Sequence, residues 1–249
     1  MKKLLFALAL TSSLISCKKE TTTPNTNGNT NTTDTTKNST IGKPGPNITD
    51  VEGNTYKTVT IGNQTWMAEN LKTAKYNDGT IIPNLIENNH WVYSLTDTMG
   101  GWCYYNNDES NNLKYGKLYN WYVVNPTSNG NKNVCPTGWH VPSNAEWKTL
   151  TDYLGGDSTA GSKMKESGNK NWMSDNLDAT NSSLFTGLPG GYRNNSSFFN
   201  LGSKGYWHST SEHSYPGASW GLSMYGKYKY AYKSDGYKND GISIRCIRD

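Results

Sequence analysis

The sequence predicts an α+β fold: a single loop-rich domain of short antiparallel strands with a few helices. Three observations carry this prediction. Apolar and polar residues alternate over several short stretches, as in half-buried strands; one stretch has the cap and apolar spacing of a helix; and Gly, Asn, Asp and Pro interrupt the chain every few residues. Since only 33% of the residues are hydrophobic and 12% are aromatic, we expect a core built largely from rings.

The first seventeen residues have the pattern of an export signal. Two lysines at positions 2 and 3 precede an apolar run that is too short to span a bilayer, and the segment ends in Leu14-Ile15-Ser16-Cys17. This segment resembles a bacterial lipoprotein signal, the alternative being an ordinary secretory peptide. The resemblance implies that Cys17 becomes the first mature residue and carries a diacylglycerol thioether together with an amide-linked chain such as palmitate. Such multiple acylation anchors a protein firmly to a membrane.

Residues 18–50 are expected to form a disordered tether. The segment holds eleven threonines and six asparagines and no aromatic residue, so it cannot bury enough apolar surface to fold. The folded domain is therefore predicted to span residues 51–249. That part holds 18 basic and 17 acidic residues, and this balance argues against a nucleic-acid partner, which requires a concentrated basic surface.

Several elements of the domain can be assigned from local pattern. Ser143 and Glu146 form a capping box for a helix that ends at Gly155-Gly156. A second helix is predicted over 115–124, where Tyr and Leu recur on one side. Strands are expected at 58–61 and 64–68, joined as a hairpin, at 219–225 and 228–233 around Gly226-Lys227, and at 242–247.

The domain also contains several sequence blocks that resemble those of a known family. They are TVTIGNQTWMAENLKTAKYNDGTIIPN, WCYYNND, YGKLYNWYVVN, VCPTGWHVPSNAEWKTLTDYLGG, FTGLPGGYR, GYWHSTSE and ISIRCIRD. These closely resemble the Fibrobacter succinogenes major paralogous domain family, which is widespread in surface lipoproteins of Bacteroidota and has no established biochemical role. A more distant likeness, in WHVPSNAEW and GISIRC, is to the formylglycine-generating enzyme superfamily and its C-type-lectin-like fold. That enzyme class uses a cysteine pair before its final strand, and residues 211–245 contain none. We therefore do not expect an enzyme.

With Cys17 lipidated, Cys103, Cys135 and Cys246 remain, an odd number for an oxidising envelope. The resemblance to lectin-like folds implies a disulfide between Cys135 and Cys246. Pairing of Cys103 with Cys246, or three reduced thiols, are the alternatives. Of the histidines, His140 is interpreted as structural, and His208 and His213 as flanking a Ser-Thr-Ser turn at the surface.

No zinc or EF-hand motif occurs, so no metal is predicted as a cofactor. Calcium is retained as a weak candidate because Asp235, Asn239 and Asp240 precede the last strand, where lectin-like folds place oxygen ligands. The alternative is that these residues only form turns.

The ligand-binding candidates are aromatic. Trp207, Trp220, Tyr228, Tyr230 and Tyr232 lie among lysines and asparagines, and flat rings beside polar donors suit sugar faces and protein surfaces alike. The alternative is a core face with a lysine-protected edge. The sequence thus favours a lipid-anchored outer-membrane or cell-surface protein that binds glycan or an envelope protein. A structural or adhesive component without a small ligand, and a divergent enzyme, are the alternatives.

Overall fold

The fold is α+β in a computed structural model that describes residues 39–249 apart from Ser174, Leu177 and the side chain of Leu95. The predicted signal, Cys17 and most of the predicted tether lie outside the described residues. The strands are β1 (Lys43–Thr49), β2 (Thr55–Ile61), β3 (Gln64–Met67), β4 (Trp102–Cys103), β5 (Leu118–Tyr119), β6 (Trp139–His140), β7 (Gly190–Arg193), β8 (Phe198–Leu201), β9 (Lys204–Glu212), β10 (Ala218–Tyr225), β11 (Ala231–Tyr237) and β12 (Ile247–Arg248). The helices are α1 (Asn88–Asp97), α2 (Asn112–Tyr115), α3 (Pro126–Asn129), α4 (Asn144–Tyr153) and α5 (Asp157–Met164).

The strands form two main antiparallel sheets and two small ones. The larger sheet has the order β1-β2-β3-β12-β6, the second has the order β11-β10-β9, and the pairs β4-β5 and β7-β8 complete the set. The predicted hairpin at 58–68 is confirmed as β2–β3. The predicted domain boundary at residue 50 is too late, because β1 already pairs with β2 from Lys43 to Thr49. Pro44 and Pro46 are tolerated there since β1 is an edge strand.

The predicted helix after Ser143 is confirmed as α4. The Ser143 side chain accepts from the Glu146 amide, and the Glu146 carboxylate accepts from the Ser143 amide, which completes the capping box. Trp147, Leu150 and Leu154 form its buried stripe. A backbone turn through Gly155 and Gly156 then leads into α5.

The predicted helix over 115–124 is wrong. Gly116 breaks it with a φ of 73°, and a Cβ at this position would lie 2.6 Å from the Leu71 carbonyl oxygen. Beyond it, Leu118 and Tyr119 form β5, and Trp121–Val123 form a 3₁₀ turn. The apolar pattern in the sequence came from general burial of this segment and not from a single helical stripe.

The last two predicted strand assignments need correction. The connection from β10 to β11 is longer than a turn at Gly226-Lys227, because Met224 pairs with Ala231 and Ser223 with Tyr232. The predicted strand 242–247 is paired as a strand only at Ile247–Arg248. Before that, Ile242 bridges to Tyr119 and Ser243 to Trp207, while the carbonyls of Ile244 and Cys246 accept from Leu71 and Met67. The segment therefore passes from one neighbour to the next and forms no continuous ladder with any of them.

Aromatic rings build the core, as the composition predicts. Eight of the nine tryptophans are buried, Trp220 being the exception. Trp66 stacks on Trp147 with centroids 4.5 Å apart, and Phe185 packs edge-on against both. Such ring pairs add directional contacts to the burial of apolar surface.

Cys135 and Cys246 form a disulfide, the pairing that the likeness to lectin-like folds implies. Cys103 is buried as a free thiol, and burial raises its pKa to about 11. The thiolate of Cys103 is therefore scarce at neutral pH, and the residue serves as a small apolar core side chain.

A buried polar network joins the two main sheets at Asn70. Its Oδ1 accepts from the Trp207 indole and from Arg245 Nε, both at 2.9 Å. Its Nδ2 donates to the Tyr115 carbonyl at 2.8 Å and to the Ser243 hydroxyl at 3.1 Å. All of its hydrogen-bonding capacity is thus used inside the protein.

We expect Asn70→Ala to lower the free energy of unfolding by about 3 kcal/mol, because it leaves several buried donors and acceptors unpaired. Urea denaturation measures this. Asn89→Ala, on the exposed side of α1, is the matched control and should change stability by less than about 0.5 kcal/mol. Equal effects of the two variants would contradict a joining role for Asn70.

His140 forms a half-exposed cluster of ion pairs with Asp249 and Glu146. His140 Nδ1 lies 2.6 Å from Asp249 Oδ1, and Nε2 lies 2.7 Å from Glu146 Oε1. Partial burial alone lowers the pKa of His140, but the hydrogen bonds and charges of Asp249 and Glu146 outweigh it and hold the pKa above its ordinary 6.5. Protonated His140 can donate to both carboxylates at once.

The pKa of His140 is raised in the folded state, so its ion pairs stabilise the fold fully below pH 6.5. This stabilisation is lost as the pH rises through the raised value. Because the side chain is 39% exposed, solvent limits the effect to about 1 kcal/mol or less. We expect His140→Gln to be less stable than the parent at about pH 5.5 and to match it at about pH 8.5 in urea denaturation. His90→Gln, exposed on α1, is the control; a His140→Gln deficit that does not change with pH would refute this assignment.

Candidate functional site

The outward face of the β9–β10–β11 sheet carries the candidate site. Trp207, Leu222 and Met224 point from this sheet into the core. Because side chains alternate along a strand, the residues between them point to the opposite face. The strand pairing sets Ser223 between Tyr206 and Tyr232, and His208 beside Gly221.

Six tyrosine rings run across this side of the domain, and we call them the tyrosine face. They are Tyr192, Tyr206, Tyr225, Tyr228, Tyr230 and Tyr232. Successive centroids along the row are between 5.0 and 6.5 Å apart. Tyr228, Tyr230 and Tyr232 are 48%, 37% and 38% exposed, so their rings remain accessible. The protein therefore presents a continuous aromatic strip to solvent.

Lys165 holds the loop that carries the exposed end of this strip. The side chain is buried, and Nζ donates to the carbonyls of Tyr225, Gly226 and Tyr228 at 3.2, 2.8 and 2.9 Å. Burial lowers the pKa of Lys165 to about 8, while the charge of Asp178 acts in the opposite direction. The ammonium thus anchors the turn between β10 and β11 from within.

A pocket of about 320 Å³ opens beside the tyrosine face. Its polar lining includes His208, Asp235 and Asp240 with the serines of the sheet, and its aromatic lining includes Tyr192, Tyr206 and Tyr225. The complete lining is Tyr192, Tyr206, His208, Ser219, Trp220, Gly221, Tyr225, Ser234, Asp235, Gly236, Tyr237, Asp240 and Ile242. Rings with a few polar groups are the usual composition of a small-molecule site.

His208 lies at the base of this pocket and not at the surface as the sequence suggested. The Ser-Thr-Ser segment that follows it belongs to β9 and is not a turn, and His208 is 1% exposed. Burial lowers its pKa to about 4, so the ring is neutral at pH 7. Nε2 lies 2.7 Å from the Tyr119 carbonyl, which can only accept, so Nε2 carries the proton. Nδ1 is then an acceptor, and no group among the described residues hydrogen-bonds to it.

The weak calcium candidates divide between two roles. Asp235 and Asp240 both line the pocket, and Asp240 Oδ2 accepts from the Tyr237 amide at 3.0 Å. Burial raises the pKa of Asp240 to about 6. Asn239 is buried; its side-chain Nδ2 donates to Asn195 Oδ1, and its backbone carbonyl accepts from the indole of Trp91. Within the described part of the chain, no three His, Cys, Asp or Glu side chains form a metal-binding group.

The structure separates the predicted aromatic candidates. Tyr228, Tyr230 and Tyr232 lie together on the tyrosine face. Trp220 is half-buried at the pocket, with Lys233 Nζ 3.6 Å above its ring. Trp207 was wrongly assigned as a ligand contact, because it is completely buried and its indole donates to Asn70.

Sequence reasoning missed Tyr192, Tyr206 and His208. Alternation along β9 would have found two of them, because Tyr206 and His208 flank the core residue Trp207 and must point the other way. Tyr192 could not be found in this manner, since it reaches the site from β7, a strand of another sheet.

The site residues fall within a single family match. The sequence model of the Fibrobacter succinogenes major domain matches residues 59–248. No curated protein and no solved structure matches the chain. Because the family match covers well over half of the residues and every residue of the tyrosine face, this chain belongs to the Fibrobacter succinogenes major domain family.

Proposed function

We propose that this protein is a binding module that recognises glycan through the tyrosine face and is displayed by a lipid anchor on the outer membrane or cell surface. The observation that carries the proposal is the accessible row of rings ending in Tyr228, Tyr230 and Tyr232. Tyrosine offers a large contact area with few rotatable bonds and a hydroxyl at its edge, so it binds at a low cost in conformational entropy.

Polar groups around the rings fit the same use. Lys204 Nζ lies 4.4 Å from the centroid of Tyr225, and Lys229 pairs with Asp178 at 2.8 Å beside the exposed tyrosines. Charged donors and acceptors at the rim can orient sugar hydroxyls while the rings contact the apolar faces of the sugar. An extended polysaccharide matches a strip better than a compact ligand does.

The proposal includes no catalytic step. The thiol of Cys103 is buried with a raised pKa, and Cys135 and Cys246 are bonded to each other. This arrangement supplies no ionised nucleophile of the kind that cysteine chemistry needs. We therefore favour binding over the divergent-enzyme alternative.

We extend the proposal to a C-type-lectin-like fold. Two features support it: strand β12 near the end of the chain lies beside the early strand β3, and a disulfide ties Cys246 to Cys135. The loop-rich second half, which carries β9–β11, would then correspond to the region where such folds bind ligands.

The lipid anchor belongs to the proposal as well. Of the helices in the described residues, none has the length and apolar character needed to cross a bilayer. Cys17 lies outside those residues, and its lipidation is proposed from the Leu-Ile-Ser-Cys sequence alone.

We expect the protein to be retained by one or more polysaccharides, and Tyr230→Ala and Tyr232→Ala each to weaken retention about tenfold, as expected for loss of an aromatic anchor. The measurement is a glycan array and an insoluble-polysaccharide pull-down, in calcium and in EDTA. The full-length protein is extracted in a polyoxyethylene detergent, because a sugar-based detergent would compete.

The matched control is Tyr93→Ala, an exposed tyrosine on α1 that lies outside the tyrosine face. Retention that falls equally in this variant would contradict the proposed surface. Loss of retention in EDTA would show that a metal takes part. Failure to bind any sugar, with capture of an envelope protein that Tyr230→Ala abolishes, would favour the structural or adhesive alternative.

Replacement of Cys17 by Ala should move the protein from the membrane fraction to the soluble fraction, because the acyl chains would have no attachment point. Fractionation followed by immunoblotting measures this. Ser16→Ala keeps a small residue before the cysteine and serves as the control that stays in the membrane. Persistence of Cys17→Ala in the membrane would exclude lipidation at this residue.

A further inference from the structure

We infer that the pocket beside the tyrosine face takes one sugar ring that carries no negative charge, and that His208 Nδ1 accepts a hydrogen bond from one of its hydroxyls. This inference rests on the proposed function, because it names the sugar unit that the same site accepts. Its support comes from the hydrogen-bonding capacity of the pocket, its charge and its size.

A hydrogen-bond acceptor without a partner in the described part of the chain, His208 Nδ1, lies at the base of the pocket. His208 is 1% exposed, its Nε2 is committed to Tyr119, and Nδ1 meets no partner among the described residues. Buried polar atoms are almost always hydrogen-bonded, so an acceptor that is open beside a pocket can take a hydrogen bond from a donor bound there.

The charge of the lining selects against acidic ligands. Asp235 and Asp240 line the pocket, and no lysine or arginine of the described residues does. Lys204 and Lys233 lie over two rings of the lining, those of Tyr225 and Trp220, but each lysine borders a different cavity. Lys204 borders a cavity shared with Met173 and Tyr228, and Lys233 borders one beside α4. A carboxylate in the pocket would face two carboxylates and a neutral acceptor, whereas hydroxyls can donate to all three.

The size and position of the pocket suit a single sugar ring at the end of a chain. A volume of about 320 Å³ is at the small end of the range for ligand sites, roughly 300–1,000 Å³. Gly221 keeps the base of the pocket free of a side chain, and a Cβ there would lie 2.5 Å from the Trp207 carbonyl oxygen. Tyr225 lines both this pocket and the neighbouring one that holds Tyr228. A chain whose terminal ring occupies the pocket can therefore continue over the exposed tyrosines.

The test is direct binding of monosaccharides to the full-length protein in a polyoxyethylene detergent, by saturation-transfer NMR and calorimetry. The probes are glucose, galactose, mannose, N-acetylglucosamine, glucosamine, glucuronic acid and galacturonic acid. We expect at least one of the first five to bind and the two uronic acids to bind at least tenfold more weakly than the matching neutral sugar.

Three variants probe the pocket. Ser234→Phe places a ring in it and should abolish monosaccharide binding. Asp240→Asn keeps the acceptor for the Tyr237 amide, and His208→Gln keeps an N–H for the Tyr119 carbonyl; each should weaken binding at least fivefold. The matched control is Ser110→Phe, an exposed serine in the turn at Glu109–Asn111, which should bind as the parent does. Circular dichroism establishes which variants fold, and Asp240→Asn decides if the other two do not.

The outcomes separate this inference from the proposed function. Uronic acids that bind as well as neutral sugars, or binding unchanged in Ser234→Phe, would overturn the pocket assignment. Polysaccharide retention that depends on Tyr230 without any monosaccharide binding would overturn it too, while leaving the proposed function intact. Absence of binding to every sugar and polysaccharide would overturn both.

Discussion

The buried guanidinium of Arg245 connects the segment after β3 with the loop before β7. Arg245 is fully buried and donates to Asn70, to the Phe185 carbonyl and to the Thr186 carbonyl, with the Phe185 ring 4.1 Å below it. Burial lowers its pKa to about 9, so it stays charged at neutral pH. No carboxylate of the described residues forms an ion pair with it. Fixed carbonyl dipoles must therefore solvate the charge, and losing one of them would cost about 2 kcal/mol, the usual value for a hydrogen bond to a charged group.

This requirement explains an otherwise unfavourable backbone. Leu184 and Thr186 both have positive φ, 56° and 54°, a conformation that costs non-glycine residues about 1–2 kcal/mol. The turns at these positions direct two successive carbonyls at Arg245. Through Asn70 the same network reaches the Trp207 indole on β9, the strand that also carries Tyr206 and His208. The site is thereby held by a rigid polar centre on the other side of its sheet.

Local signals predicted local structure, and they failed where distant segments decide. The capping box at Ser143 and the hairpin at 58–68 were correct because cap and turn chemistry lie within a few residues. The helix over 115–124 was wrong because the contact of Gly116 with the Leu71 backbone cannot be read from its neighbours. The exposed tyrosines were found by composition. Tyr192 was missed because tertiary packing, and not sequence proximity, brings it to the pocket.

The rings of this protein serve two purposes that composition does not distinguish. Trp207 and Tyr206 are adjacent in sequence, yet one lies in the core and the other on the tyrosine face. Alternation along a strand makes this division. It also means that a shift of one residue in the pairing of β9 would exchange the core ring for the surface ring.

The position of β12 has a consequence for how the protein is made. This strand lies between β3 and β6, which come much earlier in the chain, and the disulfide near it spans a sequence separation of 111. The larger sheet therefore stays divided until β12 has been synthesised and has docked. A folding intermediate without docked β12 exposes the unpaired edges of β3 and β6, and such edges favour pairing with other chains.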